Sequence, residues 1–335
     1  MGLWKLLGTL CVAALLMSEV AVAQQSPRKI GVLINGEPSP LSDSILKNLL
    51  GDFAALGYAA DKDIVIEPRF AERKLDRLPT LARELVEAKA DIIFALGGPA
   101  AVAAQKATAS GPPPLVPVVF AIVTDPVALK LVASMDRPGA NVTGLTSLDP
   151  QQAGAQFALL KEVLPKAKRV AILSDQTIPG ADQDGLAPID RANQAAAKDA
   201  GLEPLVVKLK DAADLERAFA DIVGHKADAV LVLEVPVPFG NRKQIAELAL
   251  KHRMPTIFPG GQADAGGMMT YGTNVADTWR RFAGIADRIF KGAKPADLPV
   301  HVLTKRELIV NQRVAKALDV TIPADVLKRA DKVVD

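Results

Sequence analysis

The sequence contains a single cysteine, Cys11, and it lies within the first 23 residues. That segment has the pattern of an export signal, with Lys5, an apolar stretch from about Leu6 to Met17, and Ala21-Val22-Ala23 as a cleavage site. The apolar stretch is shorter than the roughly 20 residues that span a bilayer. We therefore expect a signal peptide over residues 1–23, cleaved near Ala23, and a mature chain that has neither disulfides nor thiol chemistry.

A strong excess of charge of one sign is also lacking. The chain has 40 Lys and Arg against 38 Asp and Glu, which gives a formal net charge of +2. Such a small excess argues against nucleic acid as the main partner. Apolar residues make up 49% of the chain, and its length is sufficient for two domains of ordinary size, each with its own core.

The sequence motifs of common catalytic centres are absent as well. There is no Gly-x-Ser-x-Gly, no phosphate-binding Gly-x-x-x-x-Gly-Lys, and no His-x-x-x-His or Cys-x-x-Cys. His225 and His252 follow helical stretches and His301 lies in a predicted linker, a pattern typical of solvated or structural histidines. We therefore expect a protein that is not an enzyme and that uses no metal and no cofactor.

The sequence does contain a repeated alternation of short apolar runs and amphipathic helical stretches. Strands that alternate with helices of this length predict right-handed βαβ units, parallel sheets and the α/β fold class. One set of units precedes about residue 146 and a similar set follows it, which indicates two lobes. The last sixty or so residues begin with a long amphipathic helix over Val275–Lys291 and supply pieces too small to form a core of their own.

The stretch Asp91–Ala101 is the most informative part of this pattern. An apolar run without alternation, typical of a strand buried on both faces, breaks at Gly97 and Gly98, and Pro99 then opens a helix that includes Ala100. Free backbone N–H groups at the start of such a helix can bind an anion at the carboxyl edge of the sheet. The alternative is an ordinary strand-to-helix turn.

Other polar residues also fall at or near the predicted carboxyl ends of strands. Each taken alone could be a helix cap or part of a solvated loop, but together they fit a small polar ligand held by directional hydrogen bonds. Acidic groups opposite a helix amino terminus would suit the ammonium and carboxylate of an amino acid. The predicted ligand-binding residues outside the Gly97–Ala100 turn are Asn35, Glu37, Thr124, Asp125, Ser174, Asp175, Glu234 and Tyr271.

The order of several motifs resembles exported substrate-binding proteins of ABC transporters, in the branch that includes tryptophan- and tyrosine-type uptake proteins. The resemblance covers nearly the whole mature chain. The family commonly has a hydroxyl residue where this chain has Gly98, so that backbone N–H groups alone remain here. The motifs include Arg-Lys-Ile-Gly-Val-Leu (28–33), Asp-Ile-Ile-Phe-Ala-Leu-Gly-Gly-Pro-Ala-Ala (91–101), Arg-Pro-Gly-Ala-Asn-Val-Thr-Gly-Leu-Thr (137–146) and Asn-Gln-Arg-Val-Ala-Lys-Ala-Leu (311–318).

The resemblance implies the fold of a type 1 periplasmic binding protein. In that fold two Rossmann-like lobes with parallel sheets are joined by three hinge crossings, and the ligand lies in the cleft between the lobes. The expected first lobe comprises residues 28–146 and 274–303, and the expected second lobe comprises residues 147–273 and 304–335.

The resemblance also implies a function. We expect a monomer in the periplasm that captures a small-molecule ligand, an amino acid or a related carboxylate, and delivers it to an ABC permease in the inner membrane. The alternative is a periplasmic ligand-sensing component of a signalling receptor, for which the fold and the cleft would be the same.

Overall fold

The strands of the protein form two sheets, one of six strands and one of seven. The predicted signal peptide over residues 1–23 and the predicted site residue Thr124 lie outside the described residues. The computed structural model describes residues 26–38, 40–72, 74–109, 115–123, 125–146, 150–176, 178 and 180–335.

The strands of the first sheet are β1 (Arg28–Ile34), β2 (Ile64–Phe70), β3 (Ile92–Leu96), β4 (Val118–Val123), β5 (Val142–Thr146) and β11 (His301–Val302). The sheet is parallel throughout, in the order β11-β5-β4-β3-β1-β2. Residues 92–95 of β3 are buried, which confirms the expectation from their uninterrupted apolar sequence.

Two pairs of helices cover this sheet: α1 (Pro40–Ala55), α2 (Leu78–Glu87), α3 (Gly98–Thr108) and α9 (Val275–Phe290). One core cluster joins α2 and α3 to the sheet, and another joins α1 and α9 to it. The amphipathic helix predicted from Val275 is present as α9. Its residues Trp279 and Phe282 are buried, and the Phe282 ring stacks on Phe94 with a centroid separation of 3.7 Å.

The strands of the second sheet are β6 (Arg169–Asp175), β7 (Glu203–Leu209), β8 (Ala229–Val232), β9 (Thr256–Phe258), β10 (Met269–Thr273), β12 (Arg306–Asn311) and β13 (Lys332–Val334). Their order in the sheet is β13-β12-β10-β9-β8-β6-β7. The helices that follow or precede these strands are α4 (Pro150–Val163), α5 (Pro188–Asp199), α6 (Leu215–Gly224), α7 (Pro236–Gly240), α8 (Arg242–Lys251), α10 (Gln312–Ala317) and α11 (Ala324–Arg329). None of the helices within the described ranges is long and apolar enough to cross a membrane.

The structure departs from the sequence predictions in two places. The segment with His301 was predicted as a linker, but His301 and Val302 form β11, which pairs with Leu145 and Thr146 of β5. The second sheet is mostly rather than wholly parallel, because β12 runs antiparallel to β10. The chain leaves the second sheet at the carboxyl end of β10 and re-enters that sheet at the same edge after β11. The next strand, β12, therefore runs in the direction opposite to β10.

The chain passes between the two sheets after β5, after β10 and after β11. These are the places where the family resemblance implies hinges. The residue boundaries of the two lobes stay predictions.

A close contact between two glycine segments joins the loop after β9 to the end of β10. A Cβ atom on Gly260 would lie 2.2 Å from the carbonyl oxygen of Thr273, and one on Gly272 would lie 2.5 Å from the backbone nitrogen of Gly260. Both distances are far below van der Waals contact and involve backbone atoms that cannot move independently. Glycine is therefore required at both positions.

We expect Gly260→Ala to lower the free energy of unfolding by about 3 kcal/mol or more, because the two backbone segments must separate to admit the methyl group. Urea unfolding monitored by circular dichroism measures this change. Gly284→Ala in α9 is the matched control, since a Cβ there meets nothing within 4 Å. The control should gain about 0.5–1 kcal/mol from higher helix propensity. Equal stability of the two variants would contradict the contact.

We expect His301 to make the stability of the protein depend on pH. Burial, together with Arg281 and Arg288, lowers the pKa of His301 from its ordinary value of 6.5. The unfolded chain therefore takes up the proton first on acidification, and stability is lost as the pH falls below about 6.5.

His301→Thr keeps a residue suited to a strand and removes the titrating ring. The drop in melting temperature between about pH 7.5 and about pH 5.5 should be smaller in this variant than in the wild type. An identical drop in both proteins would show that His301 does not titrate differently in the folded state.

Candidate functional site

The carboxyl edges of the two sheets lie next to each other. Two connections that leave these edges are short: Asn274 between β10 and α9, and 303–305 between β11 and β12. They are tied together, since the N–H of Asn274 donates to the carbonyl of Lys305 over 3.0 Å. Because the carboxyl edge of an open α/β sheet is where ligands bind, the space between these edges is the candidate site.

The Gly97–Ala100 turn has the predicted geometry of a strand end that leads into a helix. Gly97 has φ of 88°, a conformation that favours glycine, and its N–H donates to the carbonyl of Ala121. The N–H of Ala101 donates back to the carbonyl of Gly97. Since Pro99 has no N–H, the first turn of α3 leaves the N–H groups of Gly98 and Ala100 without partners inside the helix. Their binding to an anion stays a prediction.

The other predicted residues of the first sheet follow β1 and β4, the neighbours of β3. Asn35 is half-buried, and its Oδ1 is buried without a hydrogen-bond partner in the described part of the chain. Asp125 Oδ1 accepts from the backbone N–H groups of Val127 at 3.1 Å and Ala128 at 2.9 Å. Glu37 is exposed. Asn35 and the Gly97–Ala100 turn therefore lie side by side, and Asp125 caps the turn that follows it.

The predicted residues at the end of β6 are fully buried and form hydrogen bonds within the second lobe. The Ser174 hydroxyl donates to Asp190 of α5, and the Asp190 carboxylate also accepts from Lys208 Nζ at 3.1 Å. Asp175 Oδ2 accepts from the N–H of Val237 at 2.8 Å, in the first turn of α7. In this arrangement both side chains fix helices at the edge of the cleft.

Glu234 and Tyr271 are placed differently from each other. Glu234 is half-buried in the connection between β8 and α7, at the carboxyl edge. Tyr271 lies two residues before the end of β10 and packs against the core of the second lobe, while its carbonyl accepts from Gln156 Nε2 at 2.8 Å. The structure therefore places Glu234 at the carboxyl edge of the second sheet and Tyr271 inside β10, two residues before that edge. Ligand contact by either residue stays a prediction.

Sequence reasoning missed three polar side chains of the second lobe: Gln152, Gln262 and Thr273. Gln262 is 1% exposed, and neither its Nε2 nor its Oε1 has a hydrogen-bond partner within the described ranges. Thr273 Oγ1 and Gln152 Oε1 are buried and unpartnered in the same way. The sequence carried one signal for this place, because Pro259-Gly260-Gly261 follows a buried strand as Gly97-Gly98-Pro99 does.

Acidic and metal-ligating side chains are dispersed. Within the described residues, no three or more His, Cys, Asp or Glu side chains are grouped so that they could hold a metal ion. The groups gathered at the two edges are backbone N–H groups, amides, hydroxyls and single carboxylates. Such a set is suited to holding a polar molecule through hydrogen bonds.

The chain is similar to a known protein family and to a known binding protein. The family model of ABC transporter substrate binding proteins matches residues 30–334. A tyrosine-binding protein of Clostridioides difficile strain R20291 is 25% identical over 291 residues, which cover 86% of this chain and 81% of that protein.

Two solved structures are similar along almost their whole length. The ABC domain from Streptococcus pneumoniae in complex with L-Trp has a TM-score of 0.81 at 26% identity and covers 92% of this chain and 100% of that one. A conserved domain protein from Vibrio cholerae has a TM-score of 0.80 at 26% identity and covers 91% of this chain and 99% of that one.

Proposed function

Since the chain belongs to the family of ABC transporter substrate-binding proteins, we propose that it captures an amino acid or a related carboxylate between the carboxyl edges of its two sheets. The observation that carries this proposal is the adjacency of those edges, which the short connections at Asn274 and 303–305 hold together. The fold is that of a type 1 periplasmic binding protein. Closure of the two lobes around a bound molecule is the motion that such a fold permits.

We also propose a cellular location and a partner for the protein. The signal-like segment over residues 1–23 supports export, cleavage near Ala23 and a location in the periplasm. We propose that the protein acts there as a monomer and delivers its ligand to an ABC permease of the inner membrane. It does so without catalysing a reaction, and without nucleic acid as a partner.

The named ligands of the similar proteins, tyrosine and L-Trp, make aromatic amino acids the first candidates. An aromatic ring is available at the rim of the cleft in the second lobe. Phe239 of α7 is 40% exposed, and the Arg242 guanidinium lies 5.1 Å from the centroid of its ring. A planar ligand could stack on such a ring.

We propose that the ligand carboxylate binds the N–H groups of Gly98 and Ala100, at the positive end of the α3 dipole. Carboxylates at the edges would then hold the ligand ammonium, with Asp125 in the first lobe and Glu234 in the second as candidates. Asn35 lies beside the Gly97–Ala100 turn and would add a polar contact. Ser174 and Asp175 would act through the helices they hold.

A thermal-shift screen of the purified protein against the twenty L-amino acids and simple aromatic carboxylates tests this function. A ligand at a hundred times its dissociation constant adds about 2.7 kcal/mol of stability, which raises the melting temperature measurably. The methyl ester of each compound that binds is the matched control, because it lacks the anionic carboxylate and should bind far more weakly. If no compound shifts the melt and native mass spectrometry finds no bound small molecule, the proposed function is wrong.

The anion-binding role of the Gly97–Ala100 turn is tested with Gly98→Val. A Cβ on Gly98 would lie 3.0 Å from Leu129 Cδ1, so the substitution should also lower stability by crowding Leu129. The double variant Gly98→Val, Leu129→Ala makes room for the new side chain and separates the two effects.

We expect the affinity for the amino acid found in the screen to fall by about 10-fold or more in both variants, because the branched side chain shields the N–H groups. Isothermal titration calorimetry measures this affinity. Unchanged affinity in the double variant would mean that the turn does not bind the ligand.

A further inference from the structure

We propose that Gln262, Thr273 and Gln152 form a subsite in the second lobe that binds an uncharged polar group of the ligand, one that both donates and accepts hydrogen bonds. A hydroxyl and a primary amide are groups of this class. The proposal rests on the proposed function, in that it assigns a further contact to the molecule captured between the sheets.

Several polar atoms of these three residues are buried. Gln262 is 1% exposed and Thr273 is 4% exposed, and four side-chain atoms of the three residues are buried without partners in the described part of the chain: Gln262 Nε2, Gln262 Oε1, Thr273 Oγ1 and Gln152 Oε1. Buried polar groups in folded proteins are nearly always hydrogen-bonded, because leaving them unpaired lowers stability. Several such atoms at one edge of a sheet indicate a site for a polar molecule.

The backbone brings these three residues together. The Gly260 nitrogen and Gln152 Nε2 lie 2.5 Å and 3.5 Å, respectively, from the position that a Cβ on Gly272 would occupy. Thr273 follows Gly272, and Gln262 is two residues beyond Gly260, after Gly261 with φ of 73°. The N–H of Ala265 donates to the Gln262 carbonyl at 3.0 Å, which fixes the main chain of the loop at this point.

The chemistry of the three side chains determines which kind of group they can bind. None of the three side chains is charged, and together they offer the NH₂ donor of Gln262, two amide oxygens as acceptors, and the Thr273 hydroxyl as either. The charged residue opposite Thr273 in the ladder, Arg306, donates to the carbonyl of Leu303. The three side chains therefore complement a neutral group that can both donate and accept hydrogen bonds.

Gln262→Met tests the subsite, because methionine has nearly the same length and no strong polar atoms. Gln244→Met is the matched control, since Gln244 is exposed on α8. Without added ligand, we expect Gln262→Met to raise the melting temperature by about 2 °C or more, as removal of a buried unpaired amide stabilises the protein. The control should melt like the wild type. A lower melting temperature for Gln262→Met would show that the amide has a partner inside the protein and would overturn the proposal.

Binding is then measured by calorimetry with three pairs of probes that differ in the polar group: L-tyrosine and L-phenylalanine, L-glutamine and L-methionine, L-asparagine and L-leucine. In at least one pair the wild type should prefer the polar member by about 10-fold or more, and Gln262→Met should lose that preference while Gln244→Met keeps it. A preference that persists in Gln262→Met, or wild-type binding without preference for the polar member of any pair, would overturn the subsite alone. If the wild type bound none of the six compounds, the subsite would be overturned, whereas the proposed function is decided by the wider thermal-shift screen.

Discussion

The close approach of Gly260 to Gly272 and Thr273 is the contact on which the second half of the site depends. With no side chain on Gly260 or Gly272, the loop after β9 packs directly on the end of β10. That packing places Gln262 near Thr273 at the point where the chain leaves for the first lobe. The first sheet also has a glycine turn at its carboxyl edge, Gly97-Gly98-Pro99 after β3, although the strand order matches β3 with β8 rather than with β9.

Away from these edges the two lobes are well packed. At the edges some buried polar atoms lack hydrogen-bond partners in the described part of the chain. The stacked Phe94 and Phe282 rings anchor α9 to the first sheet immediately after the chain has left the second. At the edges, by contrast, Asn35 and Gln262 carry buried polar atoms without partners in the described ranges. Binding sites commonly lower the stability of the protein that holds them, because groups arranged for a ligand are not paired with each other.

Much of the fold could be predicted from the sequence, because local patterns determine it. The apolar run and glycine pair at 91–98 correctly predicted β3 and α3. The two residues of β11, by contrast, form a strand only because β5 lies beside them. The residues of the site are harder to predict from the sequence than the fold. Tyr271 packs against the core of the second lobe, and its contact with a ligand stays a prediction. Gln262 resembles a solvated loop residue in the sequence, because its burial depends on how its loop packs.

The central claim is that one ligand contacts both lobes at once, through the Gly97–Ala100 turn and the loop 259–262. Hydrogen exchange followed by mass spectrometry, with and without an amino acid that shifts the melting temperature, tests it most directly. We predict that peptides covering both segments gain protection together in the presence of the amino acid, while peptides from α6, on the flank of the second sheet, do not change. Protection confined to one segment, or present at neither, would contradict capture between the two sheets.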